Sequence, residues 1–256
     1  MLSEAAFKLT IEIMAGLALV VFISLYFVEA GYGQFRTRKW GWSINNKLAW
    51  VLMEAPVFFV MLLIWGHAGF SFQLPAFLLL CLFEMHYFQR SFIFPLLLRG
   101  KSRMPVAIVL MGACFNTVNG ILQGGGLFWY PNPGFALGAA YLLRWNCIIG
   151  VALFLFGFAV NLHSDSVIRH LRQPGDTRHY LPARGMYRYV TSANYFGEIT
   201  EWVGFALAAA TPAAWIFPLW TAANLVPRAN SIYHHYRDEF GAEAVSPRKR
   251  VFPFVY

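Results

Sequence analysis

Seven long apolar runs, at about 7–28, 48–66, 72–98, 105–129, 141–162, 195–211 and 213–233, constrain this chain more than any other feature. A helix crosses the hydrocarbon core of a bilayer with about 20 mostly apolar residues, so each run is an expected span. Only Thr211-Pro212 divides the last two. The charge content agrees with this reading. Asp, Glu, Lys and Arg make up 12% of the residues, against roughly 25% in a soluble domain. The expected fold is therefore an all-α polytopic membrane protein, a seven-transmembrane-helix bundle. It forms one domain over residues 1–256, without internal repeats or low-complexity segments. The first run lacks an A-x-A cleavage site and is read as a retained span.

The connections alternate in charge. The 29–47 loop holds Arg36, Arg38, Lys39 and Lys47, the 99–104 loop holds Arg99, Lys101 and Arg103, and the 163–194 loop holds Arg169, Arg172, Arg178, Arg184 and Arg188. The 67–71 and 130–140 loops hold no Lys or Arg, and the tail reads SPRKRVFPFVY. Positive residues favour the cytoplasmic side, which places the basic loops and the C-terminus there. The N-terminus then lies on the opposite side, as an odd number of spans requires. The net charge of +8 is accounted for by topology, so no nucleic-acid partner is expected. Cys81, Cys114 and Cys147 all sit in apolar runs without CxxC or CxxH spacing, so no disulfide or zinc site is signalled.

Polar residues concentrate between Asn161 and Trp202. Asn161 and Asp165 are four apart, as are Asn194 and Glu198, so each pair shares a helix face. Arg172 follows Asp165 by seven and is expected on that face. Such groups beside spans are costly unless they meet each other, water or a ligand. Glu54 lies within a span, where a central carboxylate costs about 2.5–3.5 kcal/mol. In the third run Tyr87 is three residues from both Glu84 and Arg90, hence a neighbour of each. A tyrosine so placed suits an acid or electrophile near a carbonyl. Asp165, Asn194 and Glu198 suit amide and ribose groups, and arginines suit phosphates. The stretch NGILQGGG (119–126) either ends the fourth helix or allows close helix contact. No GxGxxG follows a strand, which excludes a Rossmann site. His163, His234 and His235 lack H-E-x-x-H spacing, and no metal is expected.

At these residues the chain resembles the steroid 5α-reductase family (3-oxo-5α-steroid 4-dehydrogenases) over nearly its whole length. The resemblance runs through Gly31-Tyr32-Gly33, LMEAP around Glu54, HYFQR, RGKSRMP and NGILQG. It continues through NLHSDSVIRHLRQPGD and ANYFGEITEW, and closes with Arg228-Ala229 and PRKRVFPFVY. It implies an NADPH-dependent membrane enzyme that reduces the Δ4 double bond of a 3-oxosteroid. By the family pattern Glu54 and Tyr87 hold the substrate C3 carbonyl, while Phe115 and Trp202 lie near the substrate. Arg90, Asn161, Asp165, Arg172, Asn194, Glu198, Arg228 and Tyr236 surround the cofactor. Two departures stand out. Met53 precedes the acid where vertebrate enzymes often carry glutamine. Ile232 stands where they carry a histidine, with His234 and His235 nearby. The alternatives are a membrane reductase of another enone lipid (polyprenol, enoyl-CoA or sterol) and an isoprenylcysteine-type methyltransferase. A transporter would require internal repeats and paired broken helices, which are not found. The expected partners are the enone lipid and the bilayer, with no obligate protein partner. The expected location is a bacterial inner membrane or the endoplasmic reticulum membrane.

Overall fold

The computed structural model describes residues 1–28, 41–99, 102–173, 176 and 178–256. Gly31-Tyr32-Gly33 and the basic residues Arg36, Arg38, Lys39 and Lys101 lie outside the described residues. The long helices are α1 (Glu4–Ser24), α2 (Asn46–His67), α3 (Leu74–Phe88), α5 (Val106–Phe128), α7 (Trp145–Arg169), α8 (Ala193–Ala209) and α9 (Pro212–Phe240). Short helices are α4 (Phe94–Leu97), α6 (Ala139–Leu142) and α10 (Ala242–Val245). Ser43–Asn45 (β1) and Arg103–Pro105 (β2) pair antiparallel and tie the start of α2 to the start of α5. Arg103 also donates to the Ser43 carbonyl.

α1, α2, α5 and α7 are each long and apolar enough to cross a membrane. A hydrocarbon core offers the backbone no partners, so a helix that satisfies its own N–H and C=O groups is the natural spanning form. The outward faces are apolar, with Leu9, Ile13, Leu52, Phe59, Leu63, Ile149 and Phe156 all exposed. The interior holds an apolar core and, within it, a set of polar side chains: His86, Asn116, Asn119, Gln123, Asn161, Asp165 and Glu201 are buried. Apolar outward faces with polar groups turned inward are the pattern expected of a bundle solvated by lipid.

Local chemistry sets the helix ends. Ser3 caps α1 by accepting from the Ala6 amide, and Asn45 caps α2 by accepting from Lys47 N at 2.9 Å. The division between α8 and α9 falls at Thr211-Pro212, as the sequence indicates. Ala210 takes a left-handed conformation (φ 50°), Thr211 Oγ1 accepts from Ala214 N at 3.2 Å, and Pro212 opens the new helix. Proline suits that position because its missing N–H would have no partner there.

Two expectations change, and an alternative left open is decided. NGILQGGG does not end the fourth helix, because α5 runs through it to Phe128. Its glycines serve close packing instead: a Cβ on Gly120 would meet Val60, and one on Gly124 would meet Ile64. Arg172 does not share a helix face with Asp165. α7 ends at Arg169, His170 is its cap, and Arg172 is exposed beyond it. The third run is also not a uniform α-helix. A π-helical turn, Gln89–Ile93, joins α3 to α4 and carries Arg90.

The closest helix pair is α7 with α8. Gly150 and Gly157 face Gly204 and Gly197, and a Cβ on any of the four would fall under 3.0 Å from backbone atoms of the other helix. Paired small residues let two backbones approach this closely. The approach sets Asn161 and Asp165 directly against Asn194 and Glu198. The C-terminal segment is pinned beneath them. Thr191 N donates to the Lys249 carbonyl at 2.9 Å, Lys249 N to the Tyr189 carbonyl at 2.8 Å, and Val251 is fully buried.

Candidate active site

Two polar groups meet along α3 and its π-helical turn. The first is ionic. Arg90 reaches Asp165 Oδ2 (3.3 Å) and Glu198 Oε2 (3.8 Å), while its guanidinium lies over the rings of Trp50 (4.7 Å) and Phe94 (4.5 Å). Asn194 Nδ2 donates to Asp165 Oδ1 at 3.2 Å. Asn161 Nδ2 donates to the Asn194 carbonyl at 3.0 Å and reaches Glu198 Oε2 at 3.5 Å. Tyr187 donates to Asn194 Oδ1 at 3.4 Å. A π-helical turn widens a helix by one residue and re-aims a side chain, and such turns are frequent at functional sites. Here the re-aimed side chain is a cation shared by two acids, the buried Asp165 and the partly buried Glu198.

The second group is formally neutral apart from its acids, and it sits among aromatic rings. Tyr87 is buried against Phe83, Trp202 and Phe217, with ring centroids at 4.8, 5.8 and 6.2 Å. Asn119 Nδ2 donates to the Tyr87 hydroxyl at 3.5 Å, and Gln123 Nε2 donates to Asn119 Oδ1 at 3.2 Å. Among the described residues no acceptor takes the Tyr87 proton. Glu54 accepts from Asn116 Nδ2 at 3.0 Å, and the same amide donates to the Met53 carbonyl at 2.8 Å. Between the two groups, His86 Nδ1 and Glu201 Oε1 lie 2.8 Å apart, both fully enclosed. The His86 ring packs 4.6 Å from Trp202 and 5.0 Å from Tyr87. Phe115 extends the aromatic wall through Phe217 (6.4 Å) and Trp220 (4.8 Å).

Several polar atoms along the ionic group are buried without a protein partner, among them Ser164 Oγ, Arg169 Nη1 and Ser192 Oγ. Buried polar atoms are nearly always satisfied in native proteins, so this lining fits a guest rich in acceptors and hydroxyls.

Comparison with known proteins bears on what that guest and chemistry are. Residues 102–256 match the family model described as 3-oxo-5-alpha-steroid 4-dehydrogenase. The chain belongs to this family. It is 34% identical over 244 residues to the steroid 5-alpha-reductase DET2 of Gossypium hirsutum, covering 94% of this chain and 93% of the relative. It is 34% identical over 247 residues to 3-oxo-5-alpha-steroid 4-dehydrogenase 1 of Bos taurus, covering 93% of each. It is 34% identical over 261 residues to 3-oxo-5-alpha-steroid 4-dehydrogenase 2 of Homo sapiens, covering 95% and 96%. As a member of the 3-oxo-5α-steroid 4-dehydrogenase family the chain is an oxidoreductase acting on CH–CH groups, which sets aside the methyltransferase alternative.

Within this family member the structure gathers Arg90, Asn161, Asp165, Asn194 and Glu198 into one network. It sets Tyr87, Trp202 and, through Phe217, Phe115 along one aromatic wall. Glu54 joins through Asn116, and no hydrogen bond between Glu54 and Tyr87 occurs among the described residues. Glu84 is not part of the Tyr87 group: both of its carboxylate oxygens are buried without a hydrogen-bond partner. Arg228 lies on α9, where its Nε donates to Tyr195 at 2.8 Å. Arg172 is exposed beyond the end of α7, and Tyr236 lies on α9 beside His235 and Phe240, with ring centroids at 6.3 and 5.8 Å. His234 is exposed, and His235 turns toward Glu239 at 3.3 Å.

Sequence reasoning missed the buried pair His86–Glu201 and the amides Asn116, Asn119 and Gln123. A signal was present, since Asn116, Asn119 and Gln123 recur at three and four residues along one face of α5. It was hidden because neutral amides in an apolar run attract less notice than charges. The sequence shows the basic tail as a topology signal and as part of the family resemblance, without showing its contacts. In the structure Arg250 Nε donates to Asn230 Oδ1 at 2.7 Å and stacks between Tyr233 and Tyr256, each at 4.8 Å.

Proposed function

We propose that this protein reduces the Δ4 double bond of 3-oxosteroids of the testosterone and progesterone type to 5α-dihydro products, using NADPH. The observation that carries the reading is the Tyr87 hydroxyl: buried among rings and, among the described residues, receiving one hydrogen bond and giving none. An enone accepts hydride poorly until its carbonyl is polarised. A positioned donor at the C3 oxygen stabilises the charge that develops there. Tyr87 supplies that hydrogen bond, and a proton taken up at C4 from water or a nearby acid then restores the C3 ketone. The amides behind it are aligned, with Gln123 donating to Asn119 and Asn119 to Tyr87. Each bond in such a chain polarises the next, which strengthens Tyr87 as a donor. Glu54, held by Asn116, lines the same carbonyl end. Phe115 and Trp202 exclude water and flank the flat hydrocarbon.

Asn161, Asp165, Asn194 and Glu198 bind the amide and hydroxyl groups of the cofactor, with Arg90 fixing both acids. Arg172, Arg228 and Tyr236 lie toward its phosphates. When bound, NADPH supplies the hydride that adds at C5. The division between an apolar and a charged half agrees with a single seven-span domain over 1–256. In that topology the N-terminus is outside, and the charged half and the C-terminus face the cytoplasm. The membrane is a bacterial inner membrane or the endoplasmic reticulum.

The test is NADPH oxidation by detergent-purified protein with testosterone or progesterone, with mass analysis of the product. A gain of two hydrogens with 5α stereochemistry is expected. NADPH binding without turnover of either steroid would overturn the substrate assignment and point to another enone lipid.

A further inference from the structure

A third cluster of chemistry-bearing side chains lies apart from both polar groups, near the end of α9. His235 and Glu239 are four residues apart, so one helical turn places them on the same face. His179 arrives from the connection between α7 and α8. Its Nδ1 lies 2.6 Å from Glu239 Oε1, and His235 Nε2 lies 3.3 Å from Glu239 Oε2. One ligand atom from each of the three residues lies within 4.8 Å of the others.

We propose that His179, His235 and Glu239 bind a zinc ion. Two imidazoles and a carboxylate are a recognised donor set for zinc, with bonds of about 2.0–2.2 Å and a fourth position left to water. Ligand atoms around one tetrahedral ion then sit about 3–3.5 Å apart. The His235–Glu239 separation already matches, and His179 Nδ1, now 2.6 Å from Glu239 Oε1, has to draw back by about 1 Å to make room for the ion. The three side chains are 49%, 38% and 31% exposed, which leaves room for the water ligand and an entry path.

The local backbone positions His179 for this role. Asp176 accepts from Arg178 N (3.0 Å), Arg178 Nε (3.1 Å) and Arg178 Nη2 (3.1 Å), and from the Tyr180 hydroxyl (2.6 Å). These bonds hold the Asp176 carboxyl well below its usual range, Arg178 contributing most. They also bracket His179 on both sides. Spacing alone does not reveal the set, because His179 is 56 positions from its nearest partner, His235. Bound zinc would fasten the α7–α8 connection to α9 one residue before Tyr236. That corollary rests on the cofactor reading; the zinc site itself does not.

The test uses full-length protein without a histidine tag, in detergent, free of substrate and cofactor. Co2+ is titrated while its visible ligand-field absorption is followed, and Zn2+ is then added as competitor. The wild type is compared with His179→Ala and Glu239→Gln, both surface changes that leave the bundle intact by thermal melting. Expected is one saturable Co2+ per chain, displaced by Zn2+, with affinity lowered at least about 10-fold in each variant, the least that loss of even an outer-shell partner costs. Absence of saturable binding in the wild type, or either variant binding like it, overturns the site. Because no turnover is read, this failure is distinct from failure of the reductase reading.

Discussion

Tyr87 and Arg90 stand three residues apart on one continuous helical segment, yet they belong to differently built regions. Around Arg90 the charges answer one another. Two acids share one guanidinium, and two amides and a tyrosine complete the set. Around Tyr87 the hydrogen bonds run one way and stop at a proton with no acceptor among the described residues. The difference teaches what each region awaits. A closed ionic network pre-orders polar side chains for a ligand with many hydrogen-bonding groups. An open-ended donor chain in an aromatic wall awaits one neutral acceptor.

The largest expected effect breaks the ionic region alone. Arg90→Ala leaves the buried Asp165 and the partly buried Glu198 without their cation, and removing one partner of a buried pair costs about 3–5 kcal/mol. Thermal unfolding in detergent should show this, with cofactor binding lost. Wild-type stability would mean the network is not held by Arg90. Next comes Gly157→Leu, which forces α7 from α8 where the backbones touch. Overpacking of this kind costs about 3 kcal/mol, the upper end of its range. Cofactor affinity should fall with stability, since Asn161 and Asn194 move apart. Retained affinity would show that the ionic region does not depend on this approach.

Asn119→Ala interrupts the donor chain behind Tyr87. Loss of one hydrogen bond of about 1–1.5 kcal/mol should lower turnover about 10-fold without changing cofactor affinity. A fall in cofactor affinity instead would erase the boundary between the regions. The smallest effect is expected at Arg172, which is exposed beyond α7. Arg172→Ala should weaken cofactor binding by no more than about 5-fold, as suits an exposed charge worth up to about 1 kcal/mol.

The apolar runs predicted α1, α2 and α5 to within about four residues but stopped seven residues short of the end of α7, and Thr211-Pro212 marked the α8–α9 break, because hydrophobic length and helix-capping chemistry are local. The 161–165 and 194–198 pairs were legible for the same reason: helical spacing alone puts them on one face. What lay beyond reach depended on contacts between helices. Nothing local signals that Gln89–Ile93 adopts a π-helical turn, or that α7 ends at Arg169 and strands Arg172 beyond the shared face. The His86–Glu201 pair joins positions 115 residues apart. Glu84 illustrates the opposite error. Its spacing from Tyr87 suggested a partner, but the donor to Tyr87 comes from α5.

The central claim is that the two regions divide the work, and Tyr87→Phe tests it most directly. Removing only the hydroxyl, one would measure the NADPH dissociation constant and the single-turnover rate of steroid reduction on the same preparation. The account predicts an unchanged dissociation constant and a rate lowered by about 100-fold or more, as for loss of a positioned hydrogen-bond donor. Turnover at the wild-type rate, or a loss of NADPH affinity to match the loss of rate, would contradict it.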